Sequence, residues 1–145
     1  MAAVKEIKHR KMLLGKLRHG ADLLEELTEL CKERDIELGR VEAIGAVQKA
    51  CIGFYHQKKR KYEFLTLDRA FEIANLTGNI SIKDGNPIVH AHITLADDSG
   101  AAYGGHLAPG TIIFACECII EIYDGPVFER EFDHETGLPL WTIKE

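Results

Sequence analysis

The chain has 145 residues, is 46% hydrophobic and carries a net charge of −5 at pH 7. That is enough apolar content for one domain spanning residues 1–145, without obvious room for a second. No run approaches the ~18 apolar residues of a membrane span, and the charged N-terminus does not resemble a secretory signal. The expectation is a soluble cytoplasmic chain with no membrane partner. Cys31, Cys51, Cys116 and Cys118 form no disulfide-like framework and read as small core residues.

The charge is uneven along the chain. In the first twenty residues Lys5, Lys8, Arg10, Lys11, Lys16 and Arg18 meet only Glu6, giving +5 and leaving −10 for the remainder. Residues 1–11 read as a basic, flexible lead-in to a short strand, Met12 to Leu17. Asp22 then caps a helix, with Glu25 at the reciprocal position of a capping box. Leu23, Leu24, Leu27, Leu30 and Cys31 recur at helical spacing, and Lys32 and Arg34 fall near the end that favours cations. Strand-like runs follow at 36–43, 46–56, 62–67, 71–76, 80–83, 87–95, 101–105, 111–123 and 127–132. Gly39, Gly45, Gly53 and Gly78 punctuate them at expected bulges or bends. One amphipathic helix among many short-linked strands predicts a two-layer α+β fold on an antiparallel or mixed sheet. Lys58-Lys59-Arg60-Lys61 falls at a hairpin tip, where cations either contact phosphates or are simply solvated.

The histidines at 90, 92 and 106 are the candidate metal ligands. Side chains two apart on a strand share a face, with α-carbons ~6.6 Å apart, so His90 and His92 converge on one side. Asp97-Asp98-Ser99-Gly100 is a turn signal that brings residues 101–106 back beside the first strand. Gly104 and Gly105 allow close backbone approach just before His106. Three neutral ligands leave a fourth position open, the pattern of a catalytic zinc site. The alternative is three half-buried imidazoles satisfied by ordinary hydrogen bonds.

The run 111–123 reads as buried on both faces, and Glu117 is its anomaly, because an ionised carboxylate is costly there without a partner. It is the candidate proton-transfer group or support for a ligand histidine. The other reading is an internal ion pair with Arg40 or Arg69, or an interface contact.

The segments Phe71-Glu72-Ile73-Ala74-Asn75-Leu76-Thr77-Gly78-Asn79-Ile80-Ser81, His90-Ala91-His92, Gly104-Gly105-His106-Leu107 and Glu117 together resemble the PPC domain, the plant and prokaryote conserved domain. Matches extend from His19-Gly20-Ala21-Asp22-Leu23 and Ile44-Gly45-Ala46-Val47 to Gly137-Leu138-Pro139-Leu140-Trp141. The resemblance implies a two-layer α+β fold, a homotrimer and, in the single-domain bacterial members, zinc on the corresponding histidines. Plant members contact DNA through AT-hooks built around Arg-Gly-Arg-Pro, which does not occur here, so direct DNA binding rests on analogy alone. More distantly the chain resembles acetolactate decarboxylase, a zinc enzyme with a His-x-His pair on a strand. Two functions are therefore expected. One is a trimeric, metal-binding regulatory module associated with DNA through tails or partners. The other is a zinc-dependent lyase or hydrolase acting on a small carbonyl compound, with Glu117 moving protons.

Overall fold

The computed structural model describes residues 2–143, so Met1, Lys144 and Glu145, at the ends of the expected domain, lie outside the described residues. The described chain contains one helix and nine strands. Strand β1 (Lys8–Leu17) leads into helix α1 (Leu23–Glu33). There follow β2 (Gly39–His56), β3 (Lys61–Leu67), β4 (Phe71–Lys83), β5 (Asn86–Ala96), β6 (Ala102–Leu107), β7 (Ile112–Asp124), β8 (Arg130–Asp133) and β9 (Leu138–Trp141). The main sheet runs β1-β7-β2-β4-β5-β6, with β3 on β2. All its ladders are antiparallel. The α+β expectation holds in its coarse form: the sheet dominates and the helix is a minor element.

The second half of β2 turns back far enough to pair with β6, so β2, β4, β5 and β6 close on one another. Inside lies the core: Val41, Leu76, Val89, Ala91, Ile93, Leu95, Leu107, Ile113 and Ile120 are all buried. Helix α1 packs against β5 and buries Leu23, Leu27 and Cys31, each leucine contributing about 1.5–3 kcal/mol of burial. As expected, Asp22 caps it, accepting from the amides of Leu24 and Glu25 at 3.1 Å. Cys31, Cys116 and Cys118 are free and buried, and burial pushes the thiols of Cys31 and Cys116 up to about 12, as befits inert core residues.

Three expectations are corrected. The basic lead-in is not loose from residue 8 onward, because Lys8, His9 and Lys11 pair with Asp124, Tyr123 and Ile122. The bulge or bend expected at Gly45 is present, but neither Gly45 nor Gly78 ends a strand as the runs 36–43, 46–56, 71–76 and 80–83 had implied. Gly45 sits at φ +146° where the register of β2 against β4 shifts between Ala43 and Gly45, so β2 bends without ending. The β8–β9 ribbon is shorter at its start than predicted and adds a strand, β9, that Pro139 had disguised.

Candidate metal centre

Residues paired directly across a ladder share a face, and one row of partners can be followed across the sheet. Leu14 pairs with Ile119, Ile119 with Glu42, Glu42 with Thr77, Thr77 with His92, and His92 with His106. All lie on the outer face, opposite the core. The β5–β6 turn sets the last pairing. Asp97 accepts from the amides of Ser99 and Ala101 at 3.0 Å and from the Ser99 hydroxyl at 2.7 Å, and Gly100 takes φ +79°. Arg69 donates to Asp97 at 3.3 Å. Those bonds, led by the Ser99 hydroxyl, hold the Asp97 carboxyl down at about 2.

His90, two residues before His92, joins the same cluster. The three ring centroids stand 5.3 Å (His90–His92), 5.0 Å (His90–His106) and 5.7 Å (His92–His106) apart, and one ligand nitrogen from each lies within 4.8 Å of the others. Nitrogens bound tetrahedrally at ~2.0–2.1 Å from zinc stand about 3.4 Å apart, so closure onto an ion needs ring movements of about 1 Å.

Two nitrogens are conspicuously placed. His106 Nδ1 is buried without a hydrogen-bond partner among the described residues, a condition that costs roughly 1–3 kcal/mol unless something occupies it. His90 Nδ1 faces Arg130 Nη2 at 3.5 Å. A guanidinium only donates, so this nitrogen keeps its lone pair. Burial, then the Arg130 charge, then the neighbouring imidazoles hold His90 down at about 4. Burial, followed by His92 and Arg130, lowers His106 as well. Neutral imidazoles suit a transition-metal cation such as zinc.

The β8–β9 ribbon walls the cluster. Arg130, 8% exposed, donates from Nε to Ser81 Oγ at 3.0 Å, from Nη1 to the Pro139 carbonyl at 3.0 Å and from Nη2 to Asn79 Oδ1 at 2.7 Å. Its guanidinium also lies over Trp141 at 5.4 Å. On the other side the Tyr62 ring stands 4.7 Å from that of His106. A cavity of about 610 Å³ opens beside His90 and His92, lined among others by Arg40, Tyr123, Phe128 and Trp141. A smaller one of about 240 Å³ touches His90, His106, Arg130 and Tyr62.

Glu117 is not part of this arrangement. It is exposed on the outer face of β7, paired with Ile44 and Lys16, and β2 and β4 lie between it and β5. At ~4.8 Å per strand this puts it about 14 Å from the histidines within one chain. Strand β7 alternates, burying Cys116, Cys118 and Ile120 while exposing Glu117 and Ile119. The expected internal ion pairs are absent too: Arg40 pairs with Glu42 and Arg69 with Asp97. Arg130, Tyr62 and Asn79 are the neighbours that sequence reasoning missed. A lone arginine between Glu129 and Glu131 carries no signal that separates it from a solvated one.

An antiparallel sheet with three imidazoles gathered on its outer face defines the class of molecule, and similarity gives the family. Residues 5–124 match the Plants and Prokaryotes Conserved (PCC) domain, and the chain belongs to that family, the PPC domain of the sequence resemblance. A metal-containing protein of Archaeoglobus fulgidus superposes with TM-score 0.93 at 40% identity, covering 97% of this chain and 99% of that one. A PPC protein of Pyrococcus horikoshii gives TM-score 0.92 at 30% identity, covering 99% of each. A protein of Bacteroides thetaiotaomicron with a provisional DNA-binding description gives 0.84 at 25% identity, covering 94% and 97%. Acetolactate decarboxylase from Bacillus subtilis, at 13% identity and TM-score 0.56, covering 81% of this chain and 55% of that one, shares the fold alone. Among curated proteins, the bifunctional protein GlmU of a Synechococcus strain is 34% identical over 121 residues, 81% of this chain. The chain spans only 18% of that protein's length.

Proposed function

We propose that this chain is a metal-binding PPC-domain module acting as one unit over residues 1–145, in which His90, His92 and His106 hold one divalent cation, zinc by donor preference. The observation that carries this reading is the orphaned His106 Nδ1, buried in a cluster where one ring nitrogen of each of the three histidines lies within 4.8 Å of the others. The metal-containing relative from Archaeoglobus fulgidus supports it. The module acts in the cytoplasm as a homotrimer. The apolar side chains left on its outer face, Leu14 at 82% exposure and Ile44 at 58%, are of the kind that a second copy covers.

Direct DNA contact is not part of the reading, although a relative carries that description. Part of the cationic surface is engaged: Arg18 pairs with Glu26, Lys59 with Glu63 and Arg10 with Asp124. Arg60 donates to the carbonyls of His134 and Glu135. DNA association would then run through partners.

A second reading, a zinc-dependent lyase or hydrolase for a small carbonyl compound, is favoured by the two cavities beside the histidines. A bound cation would supply Lewis acidity to a ligand oxygen there. Tyr62 and Arg130 would position that ligand, and Glu117 of the same chain stands too far away to move its proton. Zinc titration of chelator-treated protein against a chromogenic competitor tests the shared premise. Saturation at about one equivalent per chain is expected, and no uptake would remove both readings. Gel shifts at physiological salt are expected to show no retention of A/T-rich DNA.

A further inference from the structure

Arg130 is a buried cation whose hydrogen-bond partners are all neutral. Ser81, Asn79 and the Pro139 carbonyl accept from it, and the neutral His90 Nδ1 faces Nη2 at 3.5 Å. No ion pair among the described residues includes it. Its chain neighbours cannot help. Glu129 and Glu131 are exposed, Glu131 accepts from Thr142 at 2.9 Å, and alternation along β8 sends both away from the arginine. Buried charges are normally paired, because an uncompensated one is expensive. A dication on the three histidines would add two further positive charges beside it. No carboxylate among the described residues offsets that charge.

The cavity next to Arg130 says which kind of anion would offset it. Of the five N–H groups of a guanidinium, four are taken by the contacts above, leaving one on Nη1. A single remaining donor beside one uncompensated charge suits one oxygen of a singly charged carboxylate better than the larger set of acceptors on a phosphate. The rest of the cavity is apolar, walled by Leu24, Ile88, Leu138 and Leu140, with Tyr62 beside His106. Its volume of about 240 Å³ is roughly eight times a water's share of the liquid, which accommodates a short chain and excludes a large ligand.

We infer that the ligand of this site is a small monocarboxylate carrying a short apolar chain, its charge met by Arg130 and its tail seated against Leu138 and Leu140. The inference rests on the reading of the three histidines as a ligand site, and it assigns Arg130 as a ligand-binding residue.

Butyrate and its neutral isostere butyramide are the probes, followed by calorimetry and by the imidazole resonances of the full chain, with and without zinc. The zinc-loaded chain is expected to bind butyrate with shifts at His90 and His106, and butyramide at least about tenfold more weakly. Arg130→Gln should keep its zinc and lose about tenfold or more in butyrate affinity, and Arg130→Lys should recover part of it. Equal binding of the two probes, undiminished butyrate affinity in Arg130→Gln, or no butyrate binding in either form would overturn the inference. If Arg130→Gln does not fold, the two-probe comparison on the natural chain decides alone. If no zinc is taken up while butyrate still binds and depends on Arg130, the metal reading fails and this one stands.

Discussion

The imidazoles of His90 and His106 are held neutral by their surroundings, and the sign of the resulting pH effect follows directly. Burial places His90 at about 4 against ~6.5 in an unfolded chain. Between those values the unfolded state binds more protons, so stability rises with pH. In metal-free protein the contribution is complete above ~6.5 and is lost as pH falls toward 4. Urea midpoints at fixed temperature should therefore decline across that window, and the decline should flatten in His90→Gln. His90 and His92 were legible because a strand has period two, and His106 because Asp97 and Gly100 announced the reversal that seats it opposite His92. Arg130 was illegible, since its role depends on the ribbon folding back over Asn79 and Ser81. Glu117 was misread for a related reason: Ile119 and Ile44 leave the outer face of the sheet apolar, so inside and outside could not be told apart along 111–123.

Among the elements, β4 and β5 fix the geometry of the site through one close approach. A Cβ on Gly78 would stand 2.5 Å from the His90 carbonyl oxygen and 2.7 Å from the Ala91 Cβ, so the strand carrying His90 and His92 would have to move. Gly78→Ala should cost about 1–3 kcal/mol by urea denaturation and weaken zinc binding as well. Leu27→Ala provides the contrast. It empties space in the core beneath α1, on the face opposite the histidines, and should cost about 2–5 kcal/mol with zinc affinity unchanged. Helix α1 was legible to within a residue because its cap and its apolar stripe agree. The strands were legible in place but not in length. Glycine reads equally as a bulge or as a strand end in a one-dimensional pattern; Gly45 makes the bulge and Gly78 a close contact, both inside continuous strands. Strand β9 escaped because Leu138-Pro139-Leu140-Trp141 is too short and holds a proline, which a two-stranded ribbon tolerates at its edge.

For the whole molecule, no helix among the described residues is long and apolar enough to cross a membrane. The outer face of β1, β7 and β2 is where a second copy has most to cover. Met12 and Leu14 are 55% and 82% exposed there, so a charge at Leu14 should leave the fold of a single chain intact. Light scattering is expected to give one species of three chains, and Leu14→Asp to give monomer with an unchanged far-UV spectrum. A monomeric natural chain at micromolar concentration would contradict the trimer. The trimer is implied only by family resemblance, because an exposed leucine in one sequence does not name what covers it. The central claim, that three imidazoles share one ion, is tested most directly by anomalous diffraction at the zinc edge from crystals of protein prepared without chelator. A single peak per chain is expected at ~2.0–2.1 Å from one nitrogen each of His90, His92 and His106. Rings turned apart onto separate backbone carbonyls, with no peak between them after zinc is supplied, would contradict it.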